Sequence, residues 1–317
     1  DWSFEAVVAQ LAAVADEAVG AAGVDGWDSV RAVGLSQPGQ VDGSGRNVVA
    51  AANFPTWEDA PISDALEAHL ATHRPGLHVS LIEDSNAALL AELQRGSGES
   101  GESGSGQTVV LVALGGGVGT AVAIDGKIHR GARRGIEGGH AIVYPGGRKC
   151  ACGQLGCLET YASGPSIARR ADEILHEAPP GYEADGGWLT NGAMHPAVAG
   201  SKLARLSKIE ARDVLEAAAA GDAVAARVVD EAADALALAC LNYCRMVDPH
   251  VIAFAGGVAT DDLLRRVRAR FDKLRWNILD DPVEIRLAAG GADAGALGAA
   301  AAALEAAGGA RRRVSFA

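Results

Sequence analysis

Three cysteines, Cys150, Cys152 and Cys157, fall within eight residues, and His140 precedes the first of them by ten. Three soft thiolates and one imidazole at this spacing can reach a single tetrahedral Zn²⁺. An ion held by four protein ligands keeps no open position for water and is therefore structural. Gly153 and Gly156, set among the ligands, allow the sharp turns that such close spacing needs. Buried free thiols beside an ordinary polar histidine are the alternative, but that reading gives the cysteines no reason to cluster. Cys240 and Cys244 sit four apart in an apolar helical pattern and read as packed core.

Glu137 and Glu159 flank the cluster, so an ion that fixes the loop also fixes these two carboxylates relative to each other. The run Glu137-Gly138-Gly139-His140, followed by Cys150-Ala151-Cys152-Gly153-Gln154-Leu155-Gly156-Cys157-Leu158-Glu159, resembles the signature of the ROK family of bacterial-type sugar kinases and sugar-responsive repressors. The resemblance implies that His140, Cys150, Cys152 and Cys157 bind zinc. It also implies that Glu137, His140 and Glu159 hold sugar hydroxyls.

Asp84 follows the strand-like stretch His78 to Ile82 and opens a helix running to about Arg95. A carboxylate at such a strand end can serve as general base toward a sugar hydroxyl. An Asp before an Ala-Leu run also serves as a plain helix cap, and spacing leaves both readings open. Asp84-Ser85-Asn86-Ala87-Ala88 resembles the family's Asp-Ala-Asn-Ala-Ala, which implies the catalytic base. Glu83 stands where family kinases usually carry Asn. An amide both donates and accepts, whereas an ionised carboxylate only accepts. A Glu83 that faces the sugar would therefore change selectivity and set a second negative charge beside Asp84. Asn53, in Asn53-Phe54-Pro55-Thr56-Trp57, resembles the sugar-side Asn of the family's Asn-Leu-x-Gly-Trp. Gln37-Pro38-Gly39-Gln40-Val41-Asp42 resembles its Pro-Gly-x-Val-Asp stretch.

Gly115-Gly116-Gly117-Val118-Gly119-Thr120 lies between a strand at 108–114 and another at 121–124. Four glycines there let backbone N–H groups approach phosphate oxygens, a weak signal when taken alone. Its place resembles the family's second phosphate loop, usually Gly-Thr-Gly-x-Gly, with Gly116 lacking the Thr hydroxyl. Gly256-Gly257-Val258 resembles the adenosine-side Gly-Gly-Gly-Val. The resemblance thus makes Gly115, Gly116, Gly117, Gly119, Gly256 and Gly257 nucleotide-binding.

The elements that must position these residues follow from periodicity. Phe4, Val7, Val8, Leu11, Val14 and Val19 mark an amphipathic helix over residues 3 to about 22, and Val30 to Ser36 reads as a buried strand. Gly96 to Gly106 is a glycine-serine-glutamate run with too little apolar surface to order itself, and residues 176–205 read as an exposed excursion. Helices are expected at 211–219, 223–247 and 261–274, and strands at 250–254 and 284–288. A small-residue helix starts near Ala294 and can pack closely on a neighbour.

The chain has 317 residues, 49% hydrophobic and 21% charged, with only 4% aromatic, so its cores rely on Ala, Val and Leu. A net charge of −12 argues against non-specific nucleic-acid binding, and no apolar run reaches 18 residues. The cysteine usage points to a reducing, cytoplasmic setting. Motifs from Ser36 to Ala300 keep the family's order. The resemblance implies an α/β protein of two actin-like or hexokinase-like lobes: residues 1–106 with a C-terminal helix, 290–309, packing back on them, and residues 107–289 carrying the zinc motif. Strands bearing the family's first phosphate loop, Asp-x-Gly-Gly-Thr, are expected upstream of Asp1. The implied activity is ATP-dependent phosphorylation of a hexose-type sugar, with structural Zn²⁺ and with Mg²⁺ accompanying ATP. A sugar-binding protein without catalysis is the competing reading, and for either the partners expected besides the sugar are further copies of the chain, as a homodimer or homotetramer.

Overall fold

The computed structural model describes residues 3–51, 57–95, 106–132, 135–176, 189–190, 193–194, 198, 200–275 and 283–308. Asn53, residues 96–105 of the glycine-serine run and most of the expected excursion lie outside these residues. In chain order the elements begin α1 (Phe4–Ala21), β1 (Ala32–Gln37), β2 (Gln40–Val41), β3 (Val48–Ala50), β4 (Glu58–Ala60), α2 (Ile62–Leu70), β5 (His78–Glu83) and α3 (Asp84–Arg95). They continue with β6 (Val109–Leu114), β7 (Val118–Ile124), β8 (Lys127–Ile128), α4 (Glu159–Ala162), α5 (Gly164–His176), β9 (Leu189–Thr190) and β10 (Ala193–Met194). The last are α6 (Ala211–Ala219), α7 (Ala223–Val247), β11 (Val251–Ala255), α8 (Asp261–Leu274), β12 (Glu284–Leu287) and α9 (Ala294–Ala306).

The chain divides into two compact units, the first made of Asp1–Gly106, Ala121–Gly135 and Ala289–Ala317. In it β1 and β5 pair in parallel, with Gln37 opposite Glu83 at their carboxyl ends. Val8 and Ala12 of α1, Leu66 and Leu70 of α2, and Leu77 and Val79 leading into and along β5 form one buried cluster. Full burial of a side chain such as Leu66 contributes about 1.5–3 kcal/mol. The small residues of α9 permit a close approach to β1 and α3: a Cβ on Gly298 would lie 1.7 Å from the Ala87 carbonyl oxygen, and one on Gly34 would lie 2.0 Å from that of Ala299. β2, β3 and β4 form a small antiparallel sheet beyond the end of β1.

The second unit comprises Gln107–Thr120 and Ile136–Ala288. Its strands β12, β11 and β6 run in parallel in that order, and β7, of which Val118–Thr120 belong to this unit, follows β6 in the sheet. Val110, Leu111, Ile252, Ala253 and Phe254 are buried at 1% exposure or less, which fits strands covered on both faces. Asp222 caps α7 by accepting the N–H groups of Val224 and Ala225, and the helix ends where Asp248 takes a left-handed conformation. No helix among the described residues is long and apolar enough to cross a membrane.

Candidate active site and metal centre

In the second unit the ligand atoms of His140, Cys150, Cys152 and Cys157 all lie within 4.8 Å of one another. His140 Nδ1 is 3.5 Å from Cys150 Sγ, and Cys152 Sγ is 3.6 Å from Cys157 Sγ. Tetrahedral coordination with Zn–S near ~2.3 Å and Zn–N near ~2.1 Å gives ligand separations of about 3.6–3.8 Å. The residues present therefore fit a four-coordinate ion. A tight loop brings them together: the Cys150 N–H donates to the Gln154 carbonyl at 2.9 Å, and that of Gly156 to the Arg148 carbonyl at 2.8 Å. Gly156, at φ 86°, leaves no room for a Cβ, which would sit 1.7 Å from the Tyr144 carbonyl oxygen. Burial pushes the Cys157 thiol up to about 12, whereas the Gln154 backbone and the Cys150 thiol bring exposed Cys152 below its ordinary value. A cation beside it would favour the thiolate form of Cys157. Cys240 is wholly buried on α7, where desolvation raises its thiol pKa.

Glu159 opens α4, and its Oε2 accepts the backbone N–H of Val118 at 2.9 Å. Glu137 is exposed and precedes the short 3₁₀ turn Gly138–His140. That turn is held by two residues to which the sequence assigns no role. Thr120 Oγ1 accepts the Gly138 N–H at 2.7 Å and donates to the Ile136 carbonyl at 3.0 Å, while the Tyr243 hydroxyl donates to the Gly138 carbonyl at 3.3 Å. Thr120 adjoins the glycine run and could have been suspected from its place. Tyr243, 105 positions from Gly138, offers no local signal.

Gly115, Gly116 and Gly117 link the end of β6 to β7, and Gly119 lies within β7. The Gly115 N–H donates to the Gly117 carbonyl at 3.0 Å, and its own carbonyl accepts the Gly164 N–H at 2.8 Å. Gly256, at φ 91°, crosses the end of β6 so closely that a Cβ would meet the Leu114 carbonyl oxygen at 2.3 Å. Gly257 and Gly116 open onto space, with nothing within 4 Å of a Cβ. Both glycine segments thus sit at the carboxyl ends of adjacent parallel strands, where open α/β sheets bind ligands.

In the first unit the exposed Asp84 begins α3 directly after β5, and its Oδ1 accepts the Ser85 N–H at 2.6 Å. Glu83 is partly buried. Its Oε1 accepts the Val41 N–H at 3.4 Å, and its Oε2 accepts the amide of buried Asn86. The Glu83 carboxylate therefore ties the β2 turn to the start of α3.

The ROK family model matches residues 14–306 of the chain. A glucokinase of Halalkalibacterium halodurans is 34% identical over 275 residues, which are 84% of this chain and 74% of that protein. A glucokinase of Thermotoga maritima is 32% identical over 250 residues, 78% and 69% of the two chains. The structure of a ROK family glucokinase from Streptomyces griseus, in complex with glucose and AMPPNP, superposes with a TM-score of 0.72 at 29% identity, covering 96% of this chain and 89% of that one. The fold is accordingly the two-lobed, hexokinase-like α/β fold of these kinases. With the signature running from Glu137 to Glu159 and the match spanning nearly the whole length, the chain belongs to the ROK family.

Proposed function

We propose that this chain is an ATP-dependent sugar kinase that moves the γ-phosphoryl group of ATP onto a hydroxyl of a hexose-type sugar. The observation that carries the reading is the bond from the Val118 N–H to Glu159 Oε2, which joins a carboxylate suited to sugar hydroxyls to a glycine loop suited to phosphates. The kinases among its relatives agree with it.

In this reading Glu137, His140 and Glu159 accept or exchange hydrogen bonds with the sugar hydroxyls, together with Asn53. Asp84 takes the proton of the attacking hydroxyl as the new oxygen–phosphorus bond forms and the bond to the ADP oxygen breaks. Such a reaction depends mainly on positioning and on charge neutralisation. Backbone N–H groups of the Gly115–Gly119 loop face the phosphates, and Gly256 and Gly257 flank the nucleoside. Mg²⁺ bound with ATP supplies charge neutralisation at the phosphates. His140, Cys150, Cys152 and Cys157 would hold Zn²⁺, which supplies rigidity to the loop between Glu137 and Glu159. His140 meets the cysteines through Nδ1, leaving Nε2 for a hydroxyl.

Sugar-dependent ADP release across a panel of hexoses and hexosamines tests the proposal. Release with at least one hexose, abolished by omitting Mg²⁺, is expected. Saturable sugar binding without ADP release would overturn it in favour of a non-catalytic sugar binder.

A further inference from the structure

Behind the ligand loop, one carboxylate gathers three arginines. Glu231 on α7 accepts Arg148 Nη2 at 2.7 Å and Arg170 of α5 through Nε at 2.8 Å and Nη2 at 3.0 Å, and Arg227 Nε lies 3.5 Å away. Arg148 is the member that reaches the site. It stands two residues before Cys150, and its Nη1 donates to the Thr160 carbonyl at 3.2 Å. Its backbone N–H donates to the Tyr161 hydroxyl at 2.9 Å, and its guanidinium lies over the Tyr161 ring, 4.5 Å from the centroid. One side chain thereby joins the ligand loop, the helix that begins with Glu159 and the long helix α7.

The geometry of this contact asks for arginine. A planar fork can bond a carboxylate and a carbonyl while stacking on an aromatic face, which a lysine ammonium cannot do together. Both side chains are about three-quarters buried, at 24% and 28% exposure, so the pair is shielded from the screening that weakens surface ion pairs. A four-coordinate ion would fix the sulfur and nitrogen atoms relative to one another. The Arg148 contacts add a second tie, from the loop to the Thr160 carbonyl and the Tyr161 ring of α4, that does not pass through those atoms.

We propose that Glu231 is a positioning residue for the sugar site, acting through Arg148 to hold the ligand loop against the Glu159 helix as a fastening separate from the metal. The inference rests on reading Glu137, His140 and Glu159 as sugar ligands. It gives Glu231, 72 positions beyond Glu159, a part in sugar affinity that its place in the sequence does not betray.

The test compares Glu231→Gln and Arg148→Lys with wild type in the zinc-loaded full chain. Two readouts are needed: the rate of zinc transfer to a colorimetric chelator, and the split between sugar KM and kcat. Expected in both variants are zinc release about tenfold faster and sugar KM about five- to tenfold higher, with kcat and the KM for ATP within about twofold, the pattern of weakened sugar binding. Unchanged release and KM in both variants would overturn the proposal, as would equal losses in kcat and in both KM values. Arg148→Lys keeps every charge and serves if Glu231→Gln does not fold. Zinc release is read without turnover, so a wild type lacking kinase activity would overturn the proposed function while the fastening is still decided by release.

Discussion

Glu159 and Val118 are 41 positions apart, yet the backbone N–H of Val118 donates to Glu159 Oε2 at 2.9 Å. Gly117 makes this possible, because a Cβ there would lie 2.6 Å from the same oxygen. The bond occupies one carboxylate oxygen, sets the orientation of the other, and ties the glycine loop to the helix that closes the metal motif. Any movement of that loop on nucleotide binding would therefore be felt at Glu159.

Gly117→Ala tests this coupling. The methyl group must displace the carboxylate and break a hydrogen bond to a charged group, worth about 1.5–3 kcal/mol. Sugar kcat/KM should fall at least about tenfold, equivalent to ~1.4 kcal/mol, with metal content unchanged. Steady-state kinetics with sugar and ATP varied in turn, alongside elemental analysis, check it. Wild-type sugar kinetics would show that Glu159 is not held by this loop.

Metal content distinguishes the two groups of cysteines. Cys152→Ser removes one thiol of the proposed metal cluster and should lower bound zinc at least about tenfold, together with sugar binding, because a site that depends on four ligands loses its loop with any one of them. Cys240→Ser places a hydroxyl in a fully buried position on α7 and should cost about 1–3 kcal/mol of stability, yet leave zinc at one per chain. Elemental analysis with thermal unfolding of both variants checks the pair. Equal zinc in Cys152→Ser and wild type would remove the metal assignment.

How much of this can be read from residues alone depends on how local the determinant is. His140 and the three cysteines declare themselves because ligand chemistry and spacing lie within one short stretch. The helices at Ala211–Ala219, Ala223–Val247 and Asp261–Leu274 keep their expected bounds, since each carries a strong apolar stripe and, for two of them, a side-chain cap at Asp222 or Thr260. The strands Gln40–Val41, Val48–Ala50 and Glu58–Ala60 are too short to show a period, and the helix Ile62–Leu70 behind them escapes notice with them. β7 begins at Val118, three residues before the apolar run announces it, because β7 takes in Gly119 within what reads as a loop. Tyr243, Arg148 and Glu231 make these contacts with partners 12 to 105 positions away, for which no local pattern exists, whereas Thr120 at least stands next to the glycine run.

Two hydrogen bonds bear on the selectivity expected of Glu83. Its residue type points to altered sugar selectivity, but its carboxylate accepts from the Val41 N–H and the Asn86 amide. Glu83→Gln would turn an NH₂ group toward one of those two donors and should cost about 1–3 kcal/mol of stability. The ratio of kcat/KM between glucose and a second hexose should then change by less than about threefold, below ~0.7 kcal/mol of discrimination. Thermal unfolding and a sugar panel check both halves. A tenfold shift in that ratio with unaltered stability would place the carboxylate on the sugar.

Asp84→Asn decides between the two readings of the residue that opens α3. As a helix start, Asp and Asn are nearly equivalent, so a capping role predicts little change in either stability or turnover. As the general base, Asp84 must take a proton, and an amide of the same shape cannot. Among the described residues its Oδ1 accepts the N–H and hydroxyl of Ser85, which orients the carboxylate while the side chain stays exposed. The substitution should therefore lower kcat by about 10²- to 10⁴-fold, or ~2.7–5.4 kcal/mol of transition-state stabilisation, while the sugar Kd from calorimetry stays within about threefold. The unfolding temperature should hold, because the Asn carbonyl oxygen can still accept from Ser85. A kcat within threefold of wild type would return Asp84 to the helix and leave the base to be sought elsewhere.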